Sequence, residues 1–363
     1  MTTLNIPSST STVSVKIYDV VSDPSKVIAG AASFFAPVLP GTENLTCPVF
    51  AFLIENKTTG KRIMFDLGPR KDLENSVPWF AAVVKAGQAA MPVDKDITEQ
   101  LVQDGIPLES ISAVVWSHAH CDHTGDMSLF PSSVDLVVSS QMKLETYETS
   151  EWSHLLPSDL SGHKIVPIDL SEAKVEIGGF KAHDYFGDGS FYLLDVPGHQ
   201  AGHLCALARV APTSFILLGA DACHHVGVLR PTAHLHKHFP CPGALISATR
   251  ASVSHAHFPA SSSESGSDSA FDLTARTKPL LTVARNGYFE DVPAAEASVG
   301  KLSELFDASS DVLVVLAHDE SMPSVMGKLP QTLDDWKERD LKRKSVWSFL
   351  DEKNPAFRFG AKA

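Results

Sequence analysis

The run Ser117-His118-Ala119-His120-Cys121-Asp122-His123-Thr124-Gly125-Asp126 sets three histidines and a carboxylate within a few residues of one another. Neutral imidazoles and carboxylates are the ligands that zinc and similar borderline divalent metals prefer. The run follows Ala113-Val114-Val115-Trp116, an apolar stretch that reads as a short buried strand. A loop at the end of a strand leaves its side chains free to converge while the strand fixes their base. The chemistry on offer is metal-assisted: a bound divalent cation lowers the pKa of its water and polarises a carbonyl. The alternative is a polar surface loop that happens to be rich in histidine. The dense H-x-H-x-D-H spacing after a buried strand argues against it.

H-x-H-x-D-H after a strand resembles the signature of the metallo-β-lactamase superfamily. The family's remaining ligand positions have counterparts downstream, in the family's order. His199 lies in Val196-Pro197-Gly198-His199, after Phe191-Tyr192-Leu193-Leu194-Asp195. Asp221 ends Leu217-Leu218-Gly219-Ala220-Asp221, and His318 lies in Val314-Val315-Leu316-Ala317-His318-Asp319. Each follows an apolar, strand-like run. The resemblance runs from about Val49 to about His318 and implies a four-layer αββα sandwich, an α/β fold with the site along one edge of two facing sheets.

The resemblance also implies roles. His118, His120 and His199 would hold one divalent ion, and Asp122, His123 and His318 a second. Asp221 would bridge them, with a water or hydroxide between. Zinc is the first candidate for both ions. Asp122 would hand a proton to the leaving group. Asp66, in Met64-Phe65-Asp66-Leu67-Gly68, would support a ligating histidine from behind, fixing its tautomer and raising its basicity; a turn-forming Asp before Gly is the other reading. The complete set speaks against class B antibiotic lactamases, which lack it. Pro197-Gly198-His199-Gln200-Ala201-Gly202-His203 is similar to the G-H-x-x-G-H stretch of quorum-quenching lactonases. Those lactonases often have a Tyr three residues after the bridging Asp, against the substrate carbonyl, and His224 stands in that place here. An acyl-homoserine lactone is therefore in doubt as substrate, and His224 becomes a candidate donor to the carbonyl. Fungal members of the family open lactam-like rings, including the cyclic carbamate benzoxazolinone. The expected function is thus hydrolysis of a cyclic ester or amide. A glyoxalase-II-like thioesterase, which would share all seven ligands, is the alternative. An iron-bound redox relative and a binding protein on a degenerate scaffold are further ones; the latter would have lost ligands.

The whole chain bounds these readings. It has 363 residues, 44% of them apolar and 20% charged, enough for a large core. A net charge of −13, from 30 basic and 43 acidic residues, disfavours a nucleic-acid partner, and the resemblance implies a small-molecule substrate. Five cysteines without C-x-x-C spacing suit a reducing compartment. Cys121 inside the motif reads as a spectator. Neither a signal peptide nor a membrane span is legible, so a cytoplasmic protein is expected, of unknown oligomeric state.

The elements that must position the site follow from patterning. Strands are expected over 13–21, 48–55, 62–66, 113–116, 134–138, 164–168, 174–177, 191–195, 204–210, 214–218 and 311–316, and helices over 77–90, 97–103 and 294–306. Asp96 caps the second helix and Gly105 stops it. Phe34 and Phe35 read as core or pocket wall. The segment 333–350 is amphipathic. Residues 1–12 read as a flexible tail, and 13–363 as one hydrolase domain with a mobile Ser-rich insertion at 254–272. A second His-rich tract, His224, His225, His234, His236 and His238, could be a further metal site, pocket lining or a solvated loop.

Overall fold

The structure is a computed structural model, and it describes residues 4–38, 41–245, 278–351 and 354–356. Two sheets face one another. The first contains β1 (Val13–Asp19), β3 (Phe50–Asn56), β4 (Arg62–Phe65), β5 (Ile111–Val115), β6 (Asp135–Ser139), β7 (Ile165–Ile168) and β15 (Gln331–Thr332), in the order β15-β1-β3-β4-β5-β6-β7. The second contains β8 (Val175–Ile177), β9 (Phe180–Asp184), β10 (Phe191–Asp195), β11 (Leu204–Ala211), β12 (Ser214–Leu218) and β14 (Val312–Val315), in the order β14-β12-β11-β10-β9-β8. A small ribbon pairs β2 (Phe35–Ala36) with β13 (Thr282–Val283).

Alternation along the strands builds the layers. Val13, Val15, Ile17, Phe52, Ile54 and Phe65 of the first sheet meet Phe191, Leu193, Ala206, Ile216 and Val315 of the second in the central core. The opposite face of the first sheet, with Tyr18, Leu53, Met64 and Val114, packs on Ile97 and Leu101 of the helix Ile97–Gln103. The opposite face of the second, with Tyr192, Leu194, Leu207, Leu217 and Val314, packs on Ala295 and Val299 of the helix Val292–Lys301. This is the four-layer αββα sandwich.

Most local expectations hold. Asp96 and Glu99 form a reciprocal capping box at the start of the helix 97–103, and Gly105 follows it at φ +76°. Phe35 is core, whereas Phe34 turns toward the site. Trp336, Leu341, Val346 and Phe349 are all buried, but their segment is broken: only Leu341–Ser345 is α-helical there. The expected helix 294–306 is an α-helix to Lys301 and then a π-helical stretch, Leu302–Asp307. Strand β9 was not expected.

Residues 4–12 depart from the expected loose tail. Leu4 and Ile6 pack against the outer core of the second sheet. The carbonyls of Leu4, Pro7 and Thr12 accept hydrogen bonds from Gly178, Arg209 and Lys57. Apolar burial and backbone pairing thus hold the segment down. The expected insertion at 254–272 lies outside the described residues. None of the five cysteines forms a disulfide, and all are buried. Among the described residues, no helix is long and apolar enough to cross a membrane.

Candidate metal centre

All the histidines and carboxylates singled out by the motifs arrive at one end of the two sheets. His118, His120, Asp122 and His123 follow β5 in the first sheet. His199, Asp221 and His318 follow β10, β12 and β14 in the second. Parallel pairing of β12 with β14 brings Asp221 beside His318, and the Leu204 N–H at the start of β11 donates to the Ser117 carbonyl, 2.9 Å away.

The loop after β10 is fixed by close packing. Gly198 has φ +132°, and a Cβ there would meet the backbone nitrogen of Ala295 at 2.3 Å. Ser298 Oγ donates to the Pro197 carbonyl at 2.7 Å, and Glu290 N–H to the His199 carbonyl at 3.0 Å. His199 is therefore presented by a backbone pressed on the helix Val292–Lys301.

Three nitrogens form a tight triangle. His118 Nε2 lies 2.9 Å from His120 Nδ1 and 3.1 Å from His199 Nε2, and the third side is 2.9 Å. Three neutral ring nitrogens cannot satisfy one another pairwise, since one that carries a hydrogen cannot also accept one. Ligands around zinc at ~2.0–2.1 Å would stand roughly 3.3 Å apart, close to this triangle. Asp221 Oδ2 lies 3.4 Å from His199 Nε2 and 3.6 Å from His118 Nε2. Asp221 Oδ1 lies 3.2 Å from His123 Nε2 and 3.1 Å from His318 Nε2. Asp122 Oδ2 is 3.4 Å from His318 Nε2. The donor set fits divalent cations: His118, His120, His199 and Asp221 could hold one, and Asp122, His123 and His318 another. Asp221 presents one oxygen to each group.

Outer contacts orient the rings. Asp66 Oδ2 accepts from His123 Nδ1 at 2.8 Å, and Asp66 also accepts from the Ser117 N–H and hydroxyl, at 2.7 and 2.8 Å. His318 Nδ1 donates to the Pro48 carbonyl at 3.2 Å, and His118 Nδ1 lies 3.0 Å from Ser117 Oγ. These contacts turn the Nε2 atoms of His118, His123 and His318 inward.

Electrostatics divide the site. Burial, joined by repulsion among neighbouring imidazoles, holds His118, His120 and His199 well below the ordinary histidine value. They stay neutral, the form that ligates metal. For His123 burial acts the same way, but Asp221 and Asp66 outweigh it and raise the ring to about 10. His318 is also raised despite burial, chiefly by Asp221. Burial would raise Asp221, yet His123, His224 and His318 hold it well below the usual carboxylate range.

His224 faces this centre. Its Nε2 is 2.9 Å from Asp221 Oδ2, and its ring stacks on His318 with centroids 5.5 Å apart at 5°. Asp221, His224 and His318 form a third grouping within metal reach. The rest of the second His tract goes elsewhere. His225 Nε2 bonds the Ala356 carbonyl, and His236 lies edge-on to Trp347. His234 lines a separate groove of about 510 Å³ beside Val299 and Ser303. Among the described residues, that tract makes no metal grouping apart from His224. Cys121 belongs to no metal grouping either.

A cavity of about 210 Å³ opens onto the centre. His120, Asp122, Asp221 and His224 floor it, and Phe34, Trp79, Phe80, Val83, Met91 and Tyr288 wall it. Phe34 stacks on Tyr288 with centroids 5.1 Å apart and touches His224 at 4.5 Å. His154 lies between Trp79 and His120, at 4.8 and 4.7 Å. Tyr288 and His154 had no signal in the sequence. The helix Pro78–Lys85 does reach the pocket, through Trp79, Phe80 and Val83.

Residues 45–210 match the family model of the metallo-beta-lactamase superfamily. The chain is 37% identical over 362 residues to the metallo-hydrolase mfmC of Annulohypoxylon moriforme, covering 97% of this chain and 90% of that one. It is 36% identical over 361 residues to the gamma-lactamase FDB1 of Fusarium pseudograminearum, covering 96% of this chain and 84% of that one. Other curated relatives are longer, and the chain spans 38% of their length. Among solved structures, B. thuringiensis AiiA with N-decanoyl-L-homoserine at its active site aligns over 88% of this chain and 99% of that one. Its TM-score is 0.55 and its identity 17%, a likeness of fold.

Proposed function

The chain belongs to the metallo-β-lactamase superfamily and is a metal-dependent hydrolase, and from that premise we propose that it opens a cyclic amide or cyclic ester in a small, apolar molecule. Residues 13–363 act in this reading as one hydrolase domain. The observation that carries it is the convergence of His118, His120, Asp122, His123, His199, Asp221 and His318 beneath an aromatic-walled cavity, whose floor presents His120, Asp122 and Asp221. The relationship to a gamma-lactamase over nearly the whole chain supports the choice of ring. The described lining of the cavity contains no Lys or Arg. It offers nothing to pair with the carboxylates of a glutathione thioester, which disfavours the thioesterase reading.

His118, His120 and His199 would hold one ion, Asp122, His123 and His318 the other, and Asp221 would bridge them. Zinc fits a set of imidazoles and carboxylates. Such ions supply an acidified water and a polarised carbonyl. The chain's own residues do the rest. Phe34, Trp79, Phe80 and Tyr288 enclose the substrate and exclude bulk water. Asp122 is partly exposed at the cavity floor. It takes the proton that the attacking water loses and delivers it to the ring nitrogen or oxygen as the bond to the carbonyl carbon breaks. His224 Nε2 lies 2.9 Å from Asp221 Oδ2 at the cavity floor, and once Asp221 holds the ions an N–H there is left for the substrate. That N–H, without ligating metal, donates to the substrate carbonyl as negative charge develops there.

The test is a hydrolysis screen of zinc-loaded protein against γ-lactams, lactones, a benzoxazolinone-type carbamate and glutathione thioesters. Ring opening of a lactam or lactone is expected. Turnover confined to thioesters would overturn the reading.

A further inference from the structure

His203 is completely buried beneath the centre and belongs to none of its metal groupings. Both of its nitrogens are already engaged. Nδ1 lies 3.0 Å from the Val196 carbonyl, and because a carbonyl accepts, Nδ1 carries the hydrogen. Nε2 accepts the backbone N–H of Asp221 at 3.1 Å. Burial pushes its pKa down to about 4, in keeping with a neutral ring.

The peptide it holds is an awkward one. Ala220 has φ +41°, a region that residues with a Cβ seldom occupy. The turn is held from two other sides: Ala222 N–H donates to the Gly219 carbonyl, and Ala317 N–H to the Ala220 carbonyl, each at 3.1 Å. Among the described residues, only His203 engages the backbone of Asp221 itself. Its other bond reaches Val196, three residues before His199. One imidazole thus spans the loop that carries His199 and the turn that carries Asp221.

We propose that His203 is a positioning residue: its Nε2 acceptor aims the Asp221 carboxylate between the two groups of histidines, while its Nδ1 donor keeps the His199 loop in register with that turn. The proposal rests on Asp221 being a metal-holding residue. An apolar replacement would leave a buried N–H without a partner, at the residue whose two oxygens serve both groups.

Asparagine can mimic the Nδ1 donor but has no atom at Nε2, whereas glutamine can place an acceptor near Nε2. The experiment titrates metal-free wild type, His203→Asn, His203→Gln and Asp221→Ala with Co²⁺, reading visible absorption for site geometry, and records the melting temperature of each metal-free protein. His203→Asn should still fold, with a lowered melting temperature because the Asp221 N–H loses its acceptor, and should alter the Co²⁺ spectrum and lose ~10- to 100-fold in affinity, as contacts behind ligands typically do. His203→Gln should regain most of that loss. Wild-type affinity and spectrum in His203→Asn would overturn the proposal, as would a glutamine variant no better than asparagine. If His203→Asn does not fold, His203→Gln decides: affinity near wild type supports the role, and a loss as large as that of Asp221→Ala removes it. Unchanged Co²⁺ binding in Asp221→Ala would instead overturn the ligand reading of Asp221, and the proposal with it.

Discussion

Asp66 Oδ2 stands 2.8 Å from His123 Nδ1, and Asp66 itself has a backbone φ of +58°. The chain is bent into a left-handed conformation there so that one carboxylate can meet Ser117 twice and His123 once. Asparagine tolerates that conformation as aspartate does, so Asp66→Asn should keep the turn while removing the acceptor that His123 needs. Metal affinity should fall ~10- to 100-fold. Titration of metal-free protein with zinc checks this, and affinity equal to wild type would show that His123 needs no carboxylate behind it.

Purified protein should contain about two divalent ions per chain, because the two groups of ligands share only Asp221. Elemental analysis decides. Full activity with a single ion would remove the two-metal arrangement.

Asp122→Asn should lower turnover by at least ~100-fold, the lower range for general acid–base groups. The variant's metal content must be measured alongside, since Asp122 lies with His123 and His318 in one group. Undiminished turnover at full occupancy would mean that the proton reaches the leaving group by another route.

His224→Ala should lower turnover ~100- to 1000-fold with both ions retained, as losing an oxyanion donor does. Loss of an ion would make His224 a ligand, through its grouping with Asp221 and His318. Unchanged kinetics would reduce it to a packing partner of Phe34.

A pH effect is expected far from the site. Lys342 is buried, and its Nζ donates to the carbonyls of Ser309 and Val312. Burial lowers it to about 7 from an ordinary 10.5. Between those values the unfolded chain binds a proton that the folded chain does not, so raising pH through this window favours the folded state. That contribution is lost as pH falls toward 7. Chemical denaturation from pH 7 to 10 should therefore show a smaller gain, or a larger loss, in Lys342→Met than in wild type. Parallel curves would contradict the shift.

The convergence of the candidate ligands was legible because each follows an apolar run that reads as a buried strand, and the motif order supplied the rest. Asp66 was legible for a similar reason, in Asp-Leu-Gly after β4. The pocket walls were not. Phe34 and Tyr288 are far apart in the chain, and nothing local to either predicts the β2–β13 ribbon that stacks them. His154 was hidden because a single histidine beside Trp152 and Ser153 has no periodicity to interpret. The role of His203 needed backbone partners, Val196 O and Asp221 N, which side-chain patterning does not reveal. The amphipathic pattern of 333–350 foretold which side chains are buried but not the turns between them, since turns can bury the same alternation.

Because β5 supplies candidate ligands from one sheet and β10, β12 and β14 supply them from the other, ions at this edge would act as rivets through the two central layers. Sliding one sheet over its neighbour by a single residue, roughly 3.3 Å, would separate the His118–His120 pair from His199 and pull Asp221 away from His123. Apolar contacts alone resist such shear weakly, since one aliphatic side chain packs much like the next. Chelation would give the sandwich a mechanical register, and metal-free protein should yield first along that plane when it is pulled.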